Sequence, residues 1–238
     1  MREKLKVLFE DNHLLVVNKP TSVLVHSDDT GDITLLDAAK SYIKQKYSKP
    51  GDVFLHAVHR LDRPVSGCII LARTSKALSR MNESIKNREI EKKYICLTTA
   101  KIITESAQLT HWLKKDHNAN KVEAKSRFKE GMKKTGWKKC LLDYQLVGSS
   151  GEKHMFEVSL ETGRSHQIRA QMAKAGYPIL GDLKYGGEKW SNPKALALHC
   201  VSLKFQHPVK KDEMHLNCLP KGQEWEFFIP LIKEEFKI

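Results

Sequence analysis

The residues best placed to do chemistry lie in one stretch, His59-Arg60-Leu61-Asp62-Arg63-Pro64-Val65-Ser66-Gly67. Pro64 biases Arg63 toward an extended backbone, so no helix is expected to pass through it. Asp62 is therefore expected in an irregular loop. That loop feeds the apolar run Cys68-Ile69-Ile70-Leu71-Ala72, whose length and β-branched content read as a strand opening at Gly67. An aspartate between Arg60 and Arg63 has opposite charge on both sides, which suits a nucleophile or a base. A loop aspartate more commonly caps its own turn. The rest of the chain has to decide between these readings.

Other chemistries find little support. His199, Cys200, His207, His215 and Cys218 lie close together in sequence, but their spacing matches no common zinc module, and the side chains of adjacent His199 and Cys200 diverge on a strand. His56 and His59 read as packing or hydrogen-bonding residues. There is no G-x-S-x-G nucleophile elbow. Neither G-x-G-x-x-G nor G-x-x-x-x-G-K-[ST] occurs, so no phosphate-binding glycine loop is predicted. A glycosidase pair needs a second carboxylate, and the sequence around Asp62 offers none. One aspartate among arginines remains.

The chain around it is basic. It has 238 residues with 40% hydrophobic content and a net charge of +13. That length allows one large domain or two small ones, and the hydrophobic content indicates a globular chain. A charge balance this positive suits a polyanionic partner, most commonly nucleic acid. Between Lys114 and Lys139 there are ten Lys or Arg against three Asp or Glu. Charge gathered in this way fits a phosphate footprint better than charge spread evenly for solubility. The five cysteines are widely spaced with no CxxC pair, which reads as reduced thiols in a cytosolic protein. No run of eighteen apolar residues occurs, and Met1-Arg2-Glu3-Lys4 leads into no signal-like segment, so neither membrane insertion nor export is expected.

The elements that must position Asp62 read as follows. Leu14 to Val17 is a strand ended by Asn18-Lys19-Pro20. Thr34 caps a helix carrying Leu35, Leu36, Ala39, Tyr42 and Ile43, and Thr74 or Ser75 caps another with Leu78, Met81 and Ile85 on one face. Strands are predicted from Lys92 to Leu97, Gln108 to Leu113, Val122 to Phe128, Leu141 to Val147, Met155 to Leu160, Ala195 to His199, and Glu224 to Leu231. Ser165 is the predicted N-cap of a third helix, which Gly176 stops. Ile168, Met172 and Ala175 form its apolar stripe, with Arg169 at the edge, where a partly buried guanidinium needs a carboxylate. Many strands with few helices between them predict an α+β fold, a mixed and largely antiparallel sheet with packed helices. With no repeat and no low-complexity linker, residues 1–238 are expected to form a single domain.

At this point the residues resemble a known family. His59-Arg60-Leu61-Asp62 with Ser66-Gly67 is similar to the signature of the RluA-type pseudouridine synthases. Asn18-Lys19-Pro20, Lys93-Tyr94, the block Thr162-Gly163-Arg164-Ser165-His166-Gln167-Ile168-Arg169, Pro178-Ile179-Leu180-Gly181-Asp182, and Leu198-His199 before His207-Pro208 match further blocks in order. The resemblance implies a central catalytic cleft and conversion of uridine to pseudouridine in rRNA or tRNA, without cofactor or metal. It implies that Asp62 is the catalytic nucleophile, that Tyr94 packs against the target base and handles protons, and that Arg169 pairs with the aspartate. Arg60 resembles the residue that fills the RNA stack when the uridine leaves. Arg164, Lys133, Lys134, Lys138 and Lys139 would hold RNA, the lysines through phosphates. The aspartate could attack C1′ of the ribose or C6 of the uracil. Val65 stands where a threonine is common in the family. Many relatives carry an extra N-terminal S4-type RNA-binding domain; the resemblance runs from about Val7 to Leu231, so six residues precede it, and no such domain is expected here. The protein is expected to act as a cytoplasmic monomer.

Two functions of different class fit this reading. One is an RNA uridine isomerase. The other is an RNA-binding module of the same fold without catalysis. Release of tritium from C5 of labelled uracil in RNA separates them.

Overall fold

The computed structural model describes residues 5–238, so the Met1-Arg2-Glu3-Lys4 start lies outside the described residues. In chain order the elements are β1 (Lys6–Glu10), β2 (Leu14–Lys19), α1 (Leu35–Lys46), β3 (His56–Ala57), β4 (Ser66–Ala72), α2 (Ser75–Lys86), β5 (Glu91–Thr98), β6 (Ser106–Asp116), β7 (Lys121–Lys125), β8 (Lys138–Ser150), β9 (Lys153–Leu160), α3 (Gln167–Lys174), β10 (Leu198–Gln206), β11 (Glu213–Asn217) and α4 (Ile229–Phe236). The chain divides into two compact units. One holds the chain up to Lys92 with Cys200–Lys221 and Phe236–Ile238; the other holds Lys93–His199 and Gly222–Glu235.

In the first unit the strand order is β1, β2, β4, β10, with β11 on β10 and β3 on β4. β2 runs antiparallel to β4, from Leu14 opposite Ala72 to Lys19 opposite Gly67. Both strands are buried along their whole length, which is why each reads as a continuous apolar run rather than an alternation. α1 packs Leu35, Ala39 and Ile43 against Leu15, Val17, Ile69 and Leu71. Its start is fixed by a reciprocal cap: Thr34 Oγ1 accepts from the Asp37 N–H, and Asp37 accepts from the Thr34 N–H. This is the role expected of Thr34, and Thr74 caps α2 through the Ala77 N–H.

Gly67 sits at the close approach between β4 and β10. Its φ is +123°, and a Cβ there would lie 2.3 Å from the Cys200 carbonyl oxygen. No other residue fits without moving backbone.

In the second unit the order is β5, β9, β8, β6, β7. The pairings of β5 with β9, β9 with β8, β8 with β6 and β6 with β7 are all antiparallel. α3 lies on one face of this sheet, where Ala170 meets Leu113, Val122 and Cys140.

Two expectations fail. Glu224 to Leu231 is not a strand: Gln223–Phe228 is a 3-10 helix that runs into α4. Trp225, Phe228, Ile232 and Phe236 are buried, and that spacing of three to four residues belongs to a helix. Nor is Ser165 the N-cap of α3. His166 holds that place with a left-handed backbone (φ 51°) and makes no side-chain cap bond. A third is shifted: the strand expected at Ala195 to His199 starts at Leu198 and continues to Gln206.

Candidate active site

The loop carrying Asp62 is the tip of a hairpin between β3 and β4. β3 lies along the end of β4, with His56 opposite Ala72 and Ala57 opposite Leu71, and the Val58 N–H donates to the Ile70 carbonyl. The next bond of that ladder comes from a side chain: the Ile70 N–H donates to His59 Nε2 at 3.1 Å. An accepting Nε2 puts the ring proton on Nδ1. Burial pushes the His59 pKa down to about 3, so the ring stays neutral and keeps accepting. His59 thus holds backbone, in line with its expected hydrogen-bonding role. On the return leg, the Val65 N–H donates to the Asp62 carbonyl at 3.0 Å, closing the tip.

Lys19, at the end of β2, ties this tip down. Its side chain is fully buried, and Nζ donates to the carbonyls of Pro20 (2.9 Å), Val23 (2.8 Å) and Arg63 (3.1 Å). Arg63 is the residue after Asp62, so the bond acts next to the carboxylate itself. Burial lowers the Lys19 pKa to about 7; the nearby Asp62 carboxylate pulls upward, and Arg63 adds to the fall. Three acceptor carbonyls suit three N–H donors, which the amine has only when charged. The Arg63 guanidinium engages elsewhere, 2.5 Å from Asp32 and 3.3 Å from the Ser22 carbonyl. Asp62 itself is half-buried, and Arg60 is exposed.

In the second unit, Tyr94 lies on β5 opposite Val158 of β9 and is buried. Arg169 lies on α3 and is only 6% exposed, as its place at the edge of the apolar stripe predicts. Its Nε and Nη2 form a two-pronged contact with Asp182, at 2.7 and 2.9 Å, and Asp182 is 1% exposed. The Tyr185 ring lies under the guanidinium, 5.2 Å from Cζ to ring centre. The Tyr185 hydroxyl is 3.0 Å from His166 Nδ1 and accepts from the Val122 N–H at 2.7 Å. The guanidinium is therefore fixed edge-on by a carboxylate and face-on by a ring, so its plane is set before any substrate arrives.

Sequence alone assigns no role to Asp182, although it closes the Pro178-to-Asp182 block, and it gives Lys19 no more than a structural one. A buried arginine announces that it needs an acid, but not which one. Gln167 also escapes sequence reasoning. It is buried; its Oε1 accepts from Thr162 Oγ1 and the Arg164 N–H, and its Nε2 donates to the Leu141 carbonyl. This amide fastens the turn before α3 to β8. Arg164 is exposed, as are Lys133, Lys134, Lys138 and Lys139. Among the described residues, no three His, Cys, Asp or Glu side chains are grouped so as to hold a metal, and no helix is long and apolar enough to cross a membrane.

Comparison with known proteins agrees with these motifs. The model of the RNA pseudouridylate synthase family matches residues 13–174. The chain belongs to the RNA pseudouridylate synthase family. The match spans the Asp62 hairpin, β5 and α3. A relative in Buchnera aphidicola subsp. Schizaphis graminum, called ribosomal large subunit pseudouridine synthase C, is 30% identical over 217 residues, covering 88% of this chain and 65% of that protein. An uncharacterized RNA pseudouridine synthase of Bacillus subtilis is 28% identical over 210 residues, covering 87% and 65%. The chain thus spans about 65% of the length of these relatives. Among solved structures, human RNA pseudouridylate synthase domain containing 4 superposes with a TM-score of 0.73 at 22% identity, covering 98% of this chain and 93% of that one. This shared fold is the α+β arrangement expected from the sequence.

Proposed function

We propose that the protein isomerises uridine to pseudouridine within RNA, with Asp62 as the nucleophile. The observation that carries this reading is the buried clamp on the Asp62 loop: a wholly buried lysine whose amine is committed to three carbonyls, one of them adjacent to the aspartate. A loop held only for stability has no need of such a group, because burying an ammonium is unfavourable unless it is fully bonded. Family membership supports the same assignment. In the reaction the C1′–N1 glycosidic bond breaks and the base is rejoined through C5. Asp62 attacks at C1′ or C6, Tyr94 offers its ring to the base and handles a proton, and Arg169 serves as partner to the aspartate. The base leaves its stack at a cost of a few kcal/mol, and Arg60 fills the gap. The substrate is a ribosomal or transfer RNA; the name of the Buchnera relative favours the ribosomal one. The protein works as a cytoplasmic monomer.

The test is Asp62→Asn, purified from a host lacking its own enzyme. The expected result is a folded protein that binds RNA and releases no tritium from [5-³H]uracil RNA. Release near the wild-type rate removes Asp62 from the chemistry. If wild type also releases none while binding RNA, the protein is a binding module.

A further inference from the structure

Outside the site already described, the solvent face of the β6–β7–β8 sheet carries an arrangement that packing alone does not require. Directly opposed residues of antiparallel strands share a face. Trp112 of β6 stands opposite Lys125 of β7 and opposite Lys139 of β8. The three side chains therefore form a row, an indole with an amine on each side. Phe128, in the segment after β7, lies against Trp112 with ring centres 4.5 Å apart and planes tilted by 37°. Lys125 Nζ sits 4.4 Å from the centre of the Trp137 ring and pairs with Glu123 at 3.2 Å. Trp137 is buried, which accounts for it as the anchor of this segment; Phe128 is 50% exposed.

Single exposed apolar residues are ordinary. This one differs in two ways. It extends an aromatic stack instead of standing alone, and it lies in the chain's most basic stretch, where ten Lys or Arg face three Asp or Glu between Lys114 and Lys139. Aromatic rings interleaved with cations are what a nucleic acid strand needs: phosphates meet the amines, and an unpaired base adds itself to the stack.

We propose that Phe128, backed by Trp112, is a stacking platform for an unpaired base of the RNA, with Lys125 and Lys139 at the flanking phosphates. This rests on the reading of the protein as an RNA enzyme and adds a site away from the reacting uridine.

The experiment compares wild type, Phe128→Ala and Phe128→Tyr. Each is titrated with a single-stranded oligouridylate and with an oligomer of abasic residues of equal length, over a range of salt. Phe128→Ala is expected to weaken oligouridylate binding by about five- to 150-fold, the range of one base–aromatic stack, at every salt concentration. The slope of log affinity against log salt should not change, because no charge is removed. Phe128→Tyr should bind like wild type. On the abasic oligomer, which carries the phosphates without bases, all three should bind alike. Equal affinity of Phe128→Ala and wild type for oligouridylate overturns the platform, and so does a loss that persists on the abasic oligomer. A fall in melting temperature with unchanged affinity assigns Phe128 to holding the segment and also overturns it. Failure of wild type to bind either oligomer contradicts the RNA reading itself, a different outcome from each of these.

Discussion

At the scale of single residues, two buried cations stand out, Lys19 in the first unit and Arg169 in the second. Lys19 is the more telling for pH. Unfolded, it holds its proton up to its ordinary value of 10.5; folded, burial brings release down to about 7. A pKa depressed by folding means that the stability tied to this group is fully present above 10.5 and is lost progressively as pH falls from there to 7. The stability of wild type minus that of Lys19→Met should therefore rise between pH 7 and 10.5, by up to about 1.4 kcal/mol per pH unit. Urea denaturation of both proteins at pH 7, 8 and 9 measures it. Parallel curves would show that the three carbonyls keep the amine charged throughout. Arg169 makes the second prediction. Its pair with Asp182 is buried on both sides, so Arg169→Ala leaves a carboxylate without its fork and should cost about 3–5 kcal/mol. Arg169→Lys should recover part of that, because an ammonium cannot reproduce the two-pronged contact. If denaturation finds Arg169→Ala within about 1 kcal/mol of wild type, the pair is not holding this turn in place.

At the scale of elements, the sequence is legible wherever a local chemical signal and the tertiary role coincide. Thr34 and Thr74 are good caps in isolation and are caps in the fold. β2 and β4 are apolar enough to be read as buried strands whatever surrounds them. It is not legible where the deciding partner is distant. Gln167 opens α3 with no local signal of a special task, and only its bonds to the Leu141 carbonyl and Thr162 show that it fastens the turn before the helix. The Trp225 to Leu231 stretch is rich in residues that favour strands, and only their burial at three- and four-residue steps reveals the helical turns. The same distance effect governs Gly67. Nothing local distinguishes it from a turn glycine, yet the Cys200 backbone fills the space where a side chain would start. Gly67→Ala should destabilise by about 4 kcal/mol or more, in the tail of single substitutions, since backbone cannot step aside as a rotamer can. Gly148→Ala is the control. Its nearest obstacle is the end of the Leu231 side chain, at 2.5 Å, and a smaller loss is expected there. Equal losses in urea melts would refute the close-approach argument.

At the scale of the whole molecule, the charge of +13 is unevenly placed, and its densest part falls on β6, β7, β8 and the segment between β7 and β8. If these lysines neutralise phosphates, log affinity for RNA falls steeply with log salt. Replacing Lys133, Lys134, Lys138 and Lys139 together with Gln should make that slope shallower by roughly one unit for each phosphate no longer neutralised. Filter-binding titrations from low to moderate salt read it directly, and an unchanged slope would mean that these amines face only water. The division into two units has another consequence. The unit that carries Asp62 is discontinuous in sequence: β4 lies against β10, and Gly67 meets Cys200. During synthesis, at about 5–20 residues per second, Gly67 is added to the chain roughly 7–27 seconds before its neighbour Cys200. Until then the part of β4 that β3 does not cover has no strand on that edge to pair with. An exposed apolar strand edge invites other chains, so the nascent protein passes through an interval in which the strand behind its aspartate is at risk of aggregation. Joining of β10 to β4 ends that interval and completes the support of the loop in the same event.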